Sequence, residues 1–232
     1  MPLAPLFTEQ ELDALRQFDT CMVANAVETF NVRLRNAGFT DASIRCMFPD
    51  SSPMVGYAVT GRLRSGEPPI SGGTYHDRTD FWNHILHVPA PRVLVLEDMD
   101  DPPGRGAFVG DVHAAILKAL GCIGFLTNGA VRELSPVGAM GIQLFAGNMA
   151  VSHAYAHIFD VGATISVGGM EVRTGSLLHG DRHGVLTIPT EIATRISLVA
   201  SELQRAEQRV IDFCRSSAFS VTRLSEVMKT IG

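Results

Sequence analysis

What the sequence lacks narrows its function first. Its 232 residues contain no Lys/Arg run longer than two, and the net charge is −5. Nucleic-acid surfaces work by neutralising phosphates with clustered cations, so no direct nucleic-acid role is expected. No apolar run approaches the roughly 18 residues a membrane helix needs, and the first seven residues hold no basic segment followed by an apolar stretch. No membrane partner is expected, and the chain reads as cytoplasmic. There is no C-x-x-C pair. Cys21, Cys46, Cys122 and Cys214 lie far apart, the usage of small buried hydrophobes in a reducing compartment. No G-x-G-x-x-G opens a helix, which sets aside a nucleotide-like cofactor and a methyltransferase. Internal repeats and low-complexity tracts are absent as well.

The composition that remains, 46% hydrophobic and 19% charged, is that of a globular protein, and the length suits one domain over 1–232. Thr8 and Glu11 fit a capping box, with Phe7 and Leu12 as a hydrophobic staple, which predicts a helix to about Phe18. Val23, Ala26, Val27 and Phe30 repeat at helical spacing, so N-terminal helices are expected over about 8–30. Val55, Tyr57, Val59, Gly61 and Leu63 alternate as in a strand with one buried face, with Gly61 marking a bulge. Ser71-Gly72-Gly73 extends the following turn into a mobile loop.

Asp80 is expected to cap a helix carrying Phe81, Trp82, Ile85 and Leu86, which Pro89 and Pro91 stop before a buried strand at 93–96. A Pro/Gly loop over 98–106 leads to a helix marked by Val112, Ala115, Ile116 and Ala119 and ended by Gly121. A strand over 122–127 follows, with Asn128-Gly129 at its end. This order predicts a right-handed parallel crossover whose ligand face lies at the strand C-termini. Beyond Pro136 short strands are expected (143–146, 163–167, 185–188). A C-terminal helix over about 190–216 then presents Glu202, Arg205 and Arg209 to solvent or to a neighbouring subunit.

Two stretches carry candidate chemistry. The helix that starts at Gly110-Asp111 offers backbone N–H groups that favour an anion such as a carboxylate. Arg132 is suited to hold an α-keto acid by paired hydrogen bonds, and the adjacent Glu133 carboxylate, with waters, suits Mg²⁺. Each also has a plainer reading, as an acid in a helix's first turn and as an exposed Arg–Glu pair. His153 with His157 and His179 with His183 have a spacing that serves a metal only on a helix, and are read as structural. His113 is the exception, because its position brings an imidazole near the carboxylate site.

Gly110-Asp111, Gly121-Cys122-Ile123-Gly124 and Asn128-Gly129-Ala130-Val131-Arg132-Glu133 together resemble the pattern of the RraA-like family. That pattern is a Gly and an acid opening a helix, then G-x-x-G leading to D-G-x-x-R-D. The family includes 4-hydroxy-4-methyl-2-oxoglutarate/4-carboxy-4-hydroxy-2-oxoadipate aldolases and RNase E activity regulators, and the likeness covers about 19–210. It implies an α/β layered fold with a central mixed sheet, of the swivelling β/β/α type.

It also implies a class II, metal-dependent lyase acting on a small α-keto acid, by retro-aldol cleavage or by oxaloacetate-type decarboxylation to pyruvate. The alternative it carries is a non-catalytic regulator that binds another protein. The implied roles place the substrate carboxylate at Gly110 and on the N–H groups of Val112 and His113. Arg132 meets the keto oxygen, Glu133 ligates Mg²⁺ or Mn²⁺, and Asp111 contacts metal-bound water, so Arg132 and Asp111 carry the catalysis. A homotrimer or dimer of trimers, with sites between subunits, is implied too. Two departures from the pattern stand out. Asn128 replaces the first Asp, and Glu133 is one methylene longer than the Asp it replaces.

Overall fold

A computed structural model describes residues 6–69 and 78–229. Thr8 opens α1 (Glu9–Arg16) with the expected capping box, its hydroxyl accepting from the Glu11 N–H and the Glu11 carboxylate accepting from the Thr8 N–H. Phe7 stacks on Tyr57 with ring centroids 6.4 Å apart, which ties the helix entry to the sheet. Asp19 caps α2 (Thr20–Glu28) by accepting from the Met22 N–H at 2.7 Å.

The chain continues through β1 (Arg45–Cys46), β2 (Met54–Arg64), α3 (Thr79–His87), β3 (Arg92–Asp98), β4 (Ala107–Val109), α4 (Asp111–Ala119), β5 (Cys122–Val131) and α5 (Leu134–Ala139). It then forms β6 (Gln143–Met149), β7 (His157–Val161), β8 (Ile165–Val167), β9 (Met170–Val172), β10 (Leu177–Asp181), β11 (Gly184–Ile188), α6 (Ala193–Arg215) and α7 (Val221–Met228). The main sheet runs β1-β6-β5-β3-β2-β10-β11, with β4 beside β5 and β7 beside β2. It is mixed. β2, β3, β5 and β6 run parallel to one another, whereas β1 pairs antiparallel with β6, β7 and β10 with β2, and β11 with β10.

Alternation along these strands builds two cores. Val55, Tyr57, Val59, Leu94, Leu96, Phe125 and Leu144 point into the one shared with α1, α2, α4 and α6. Ala58, Val93, Val95, Leu126 and Phe145 point the other way, onto Ile165, Val167, Met170 and Val172 of the β8–β9 hairpin. The sheet is therefore the middle of three layers, as expected for a β/β/α arrangement. Each large side chain so buried stabilises the fold by about 1.5–3 kcal/mol.

Several expectations are corrected. β2 is buried on both faces, not one, because the β8–β9 hairpin covers Ala58 and its small neighbours. Its irregularity lies between Arg62 and Leu63 opposite β7, one residue past Gly61. Arg78, not Asp80, occupies the cap of α3, and Asp80 sits in the first turn. β5 does not end at Thr127; it bulges at Asn128-Gly129 and continues to Val131. Around and beyond Pro136 the chain also forms the short helix α5, the strands β7, β9 and β10, and a second C-terminal helix, α7, none of which the three expected strands and one helix include. Of the four thiols only Cys122 is buried; Cys46 is half-buried, and Cys21 and Cys214 lie on exposed helix faces. The Ser71-Gly72-Gly73 loop lies outside the described residues. No helix among the described residues is long and apolar enough to cross a membrane.

Candidate functional site

The end of β5 and the start of α4 are brought together by β4. Ala107 and Val109 pair in parallel with Ala130 and Val131, and the Arg132 N–H donates to the Val109 carbonyl at 3.1 Å. The chain leaving β5 thus runs beside the chain entering α4, at the C-terminal edge of the parallel strands. Gly110 caps α4 in an extended conformation any residue adopts (φ −126°, ψ −161°). Its lack of a side chain matters for space, since a Cβ there would collide with Glu133 Oε2.

Glu133 turns the chain from β5 into α5 with left-handed backbone angles, φ 56° and ψ 46°. Its Oε2 accepts from the Asp111 N–H at 3.0 Å, and its Oε1 accepts from Arg132 Nη2 at 2.7 Å. The Asp111 amide first, and then Arg132, hold the Glu133 carboxyl below the usual carboxylate range. The Asp111 carboxylate folds back on its own helix, accepting from the Val112 N–H at 2.6 Å. Gly110, Asp111, Val112, Arg132 and Glu133 therefore share one edge.

His113 is placed differently from the expectation. Its side chain is buried, with its ring 4.7 Å from that of Phe108 and 6.1 Å from that of His153. Burial, then the nearby Arg78 and His153, push its pKa down to about 4, so the imidazole is neutral. His113 underpins α4 from inside, and at the edge itself it offers only its backbone. His153, His157 and His179 fit the structural reading. His153 and His157 make contacts with the Ala107 and Tyr155 carbonyls at 2.6 and 2.7 Å, and His179 lies between Thr20 Oγ1 and the Leu15 carbonyl.

Two features of the site were not foreseen. Asp98, buried at the C-terminus of β3, accepts from the Gly104 and Asp100 N–H groups and so shapes the loop beside the edge. Its position at a parallel strand's C-terminus was the signal that could have found it. The second is exposed apolar surface: Val112, Met149 and Val151 are each well exposed, and Met149 lies opposite Val131 on the neighbouring strand.

A divalent cation fits this donor set only in hydrated form. Among the described residues no group of three or more His, Cys, Asp or Glu side chains is placed to hold a metal. Mg²⁺ needs less, since it keeps several waters and binds through one or two carboxylates. Glu133, with Asp111 one hydrogen bond away, supplies those.

The sequence profile of the RraA-like family, described as Aldolase/RraA, matches residues 20–187. The chain belongs to the RraA-like family. A Halalkalibacterium halodurans relative, named a putative 4-hydroxy-4-methyl-2-oxoglutarate aldolase, is 33% identical over 105 residues, which is 45% of this chain and 50% of that protein. The matched region thus spans about half of that relative's length. An uncharacterized protein from Pseudomonas syringae pv. tomato superposes with a TM-score of 0.73 at 21% identity, covering 99% of this chain and 96% of the other. RraAS2 of Streptomyces coelicolor, an unusual member of the RNase ES inhibitor RraA protein family, superposes with a TM-score of 0.69 at 16% identity, covering 87% and 96%. At these identities the structures share a fold with this RraA-like chain, and fold alone does not assign chemistry.

Proposed function

We propose that this RraA-like protein is a divalent-metal-dependent lyase that cleaves α-keto acids to pyruvate, by retro-aldol cleavage or by oxaloacetate-type decarboxylation. The observation that carries the reading is the meeting of Arg132, the Asp111 and Glu133 carboxyl groups and the amide end of α4 at one sheet edge. The aldolase name of the Halalkalibacterium halodurans relative supports it.

In this reading the amides of Val112 and His113 hold the substrate carboxylate, with Gly110 leaving it room. Arg132 donates to the keto oxygen and stabilises the negative charge that develops there as the C–C bond breaks, a contribution of about 3–4 kcal/mol for such a donor. The other fragment leaves as a carbonyl compound whose hydroxyl proton passes to water, or as CO2 in the decarboxylation; the electron pair of the broken bond becomes that of an enolate, which a proton from water converts to pyruvate. Mg²⁺ or Mn²⁺, held by Glu133 and reached by Asp111 through water, would supply a Lewis acid that polarises the same oxygen. Asp111 would hold that water in place. The assembly proposed is a cytoplasmic homotrimer or dimer of trimers, with a scattering mass of three or six chains expected.

The test is pyruvate release from a panel of keto acids that includes oxaloacetate and 4-hydroxy-4-methyl-2-oxoglutarate, with Mg²⁺ or Mn²⁺ and again with a chelator. Release that needs the ion is expected. No release from any member, together with tight capture of a protein partner, would favour the competing regulator, for which the exposed side chains of Val112, Met149 and Val151 offer apolar contacts.

A further inference from the structure

The edge that carries Arg132 and Glu133 lies at the C-terminal ends of the parallel strands. A separate cavity lies at their opposite ends, where β2, β5 and β6 begin at Met54, Cys122 and Gln143. It holds about 220 Å³, and Phe48, Pro53, Met54, Ile123 and Ile142 supply its apolar walls. Gly141 leaves room beside it, since a Cβ added there would meet nothing within 4 Å. Among the described residues no charged side chain lines this cavity.

Gln143 is the buried polar side chain of the lining, only 5% exposed. Its Nε2 donates to the Phe48 carbonyl at 3.3 Å, a long contact, whereas its Oε1 is shut off from solvent and meets no donor among the described residues. A buried acceptor in that state is costly, and native interiors hold few of them. The last torsion of a glutamine is soft, so a modest turn of the amide presents Oε1 to the cavity. What the cavity lacks is a hydrogen-bond donor.

We infer that this cavity is a second ligand site, which takes a small neutral ring bearing one hydrogen-bond donor, as in a phenol, with the donor on Gln143 Oε1. Roughly 150 Å³ of apolar cavity is enough for benzene, so the volume here suits one substituted ring. A charged ligand would lose its hydration and find no ion pair in exchange. An apolar ring without a donor fits the walls but leaves Oε1 unmet, and a pocket built around a buried polar group rejects the analogue that lacks the matching one. The site is independent of the keto-acid reading, because the two share neither residues nor sheet edge.

Ligand-observed NMR titration of the whole chain with phenol and with toluene, in wild type and in Gln143→Leu, tests this. Toluene has nearly the shape of phenol without the donor, and a cavity that offers no acceptor prefers it, because it has no hydroxyl to desolvate. Wild type is expected to bind one phenol per chain saturably and to prefer phenol over toluene. Gln143→Leu is expected to reverse that preference, with the ratio of the two affinities changing at least about tenfold. A preference for toluene in wild type, or a ratio that the substitution leaves unchanged, would overturn the inference, as would the absence of saturable phenol binding by wild type. Thermal unfolding checks the variant, and if it does not fold the comparison of the two ligands on wild type still decides.

Discussion

The Asn128 side chain accepts from the Asp98 N–H at 2.7 Å and returns a hydrogen bond to the Asp98 carbonyl at 2.9 Å. One carboxamide thus completes the ladder between β3 and β5 where β5 bulges, a task that needs a donor and an acceptor on the same side chain. The Asp of the family pattern lacks the donor. This chain's departure at 128 is therefore a structural fitting.

Asn128→Asp is expected to leave the Asp98 carbonyl without its donor and to set a second carboxylate beside Asp98, whose own pKa is already raised by burial. The expected loss is about 1–3 kcal/mol, read as a lower urea midpoint at unchanged slope. An unchanged midpoint would remove Asn128 from this role.

Arg132→Ala separates catalysis from folding. Its guanidinium lies at the surface and pairs with Glu133, so stability should change by less than about 1 kcal/mol. Turnover should fall by about 10²–10³ if the donor acts on the developing oxyanion. Steady-state kinetics and thermal unfolding on the same preparation check both halves. Unchanged kinetics would take Arg132 out of the mechanism.

His113 sets a stability profile with a defined sign. Its pKa is lowered from 6.5 to about 4 by burial and then by Arg78 and His153, so the folded chain takes up its proton later than the unfolded chain does. The stabilisation is complete above pH 6.5 and is lost as the pH falls toward 4. At pH 5 this residue should contribute a loss of about 2 kcal/mol. Buried His179, also shifted down by burial, acts in the same direction. Urea unfolding at pH 7.5 and pH 5 should show a flatter profile for His113→Gln; an equally steep decline would exclude His113 as a cause.

Much of this architecture is local enough to read from sequence. Thr8 and Glu11 define their own helix start, and Gly110 and Gly121 bracket α4. The buried run of β3 follows from its apolar residues, and the alternation along β2 marks a strand. What escaped depends on distant contacts. Small residues such as Ala58 in β2 suggest nothing until the β8–β9 hairpin, more than a hundred residues later, covers them. Asn128-Gly129 has the signature of a turn, yet β3 and β6 hold it inside a strand. The six-residue α5 carries Pro136 and Gly138 and shows no apolar period; Gly138 instead lies against the Phe48 ring. At the site, the motif identified Gly110, Asp111, Arg132 and Glu133. The seating of Glu133 on the α4 amide depends on its left-handed backbone, which no residue pattern announces.

The most direct test of the proposed lyase site is Mn²⁺ titration of the full-length chain, followed by electron paramagnetic resonance, in wild type, Glu133→Gln and Asp111→Asn. Saturable binding of one ion per chain is predicted for wild type, weakened at least about tenfold in Glu133→Gln and less in Asp111→Asn, because a direct ligand contributes more than a contact through water. Absence of saturable binding in wild type, or binding that both substitutions leave unchanged, would contradict a divalent-metal site at the α4–β5 edge.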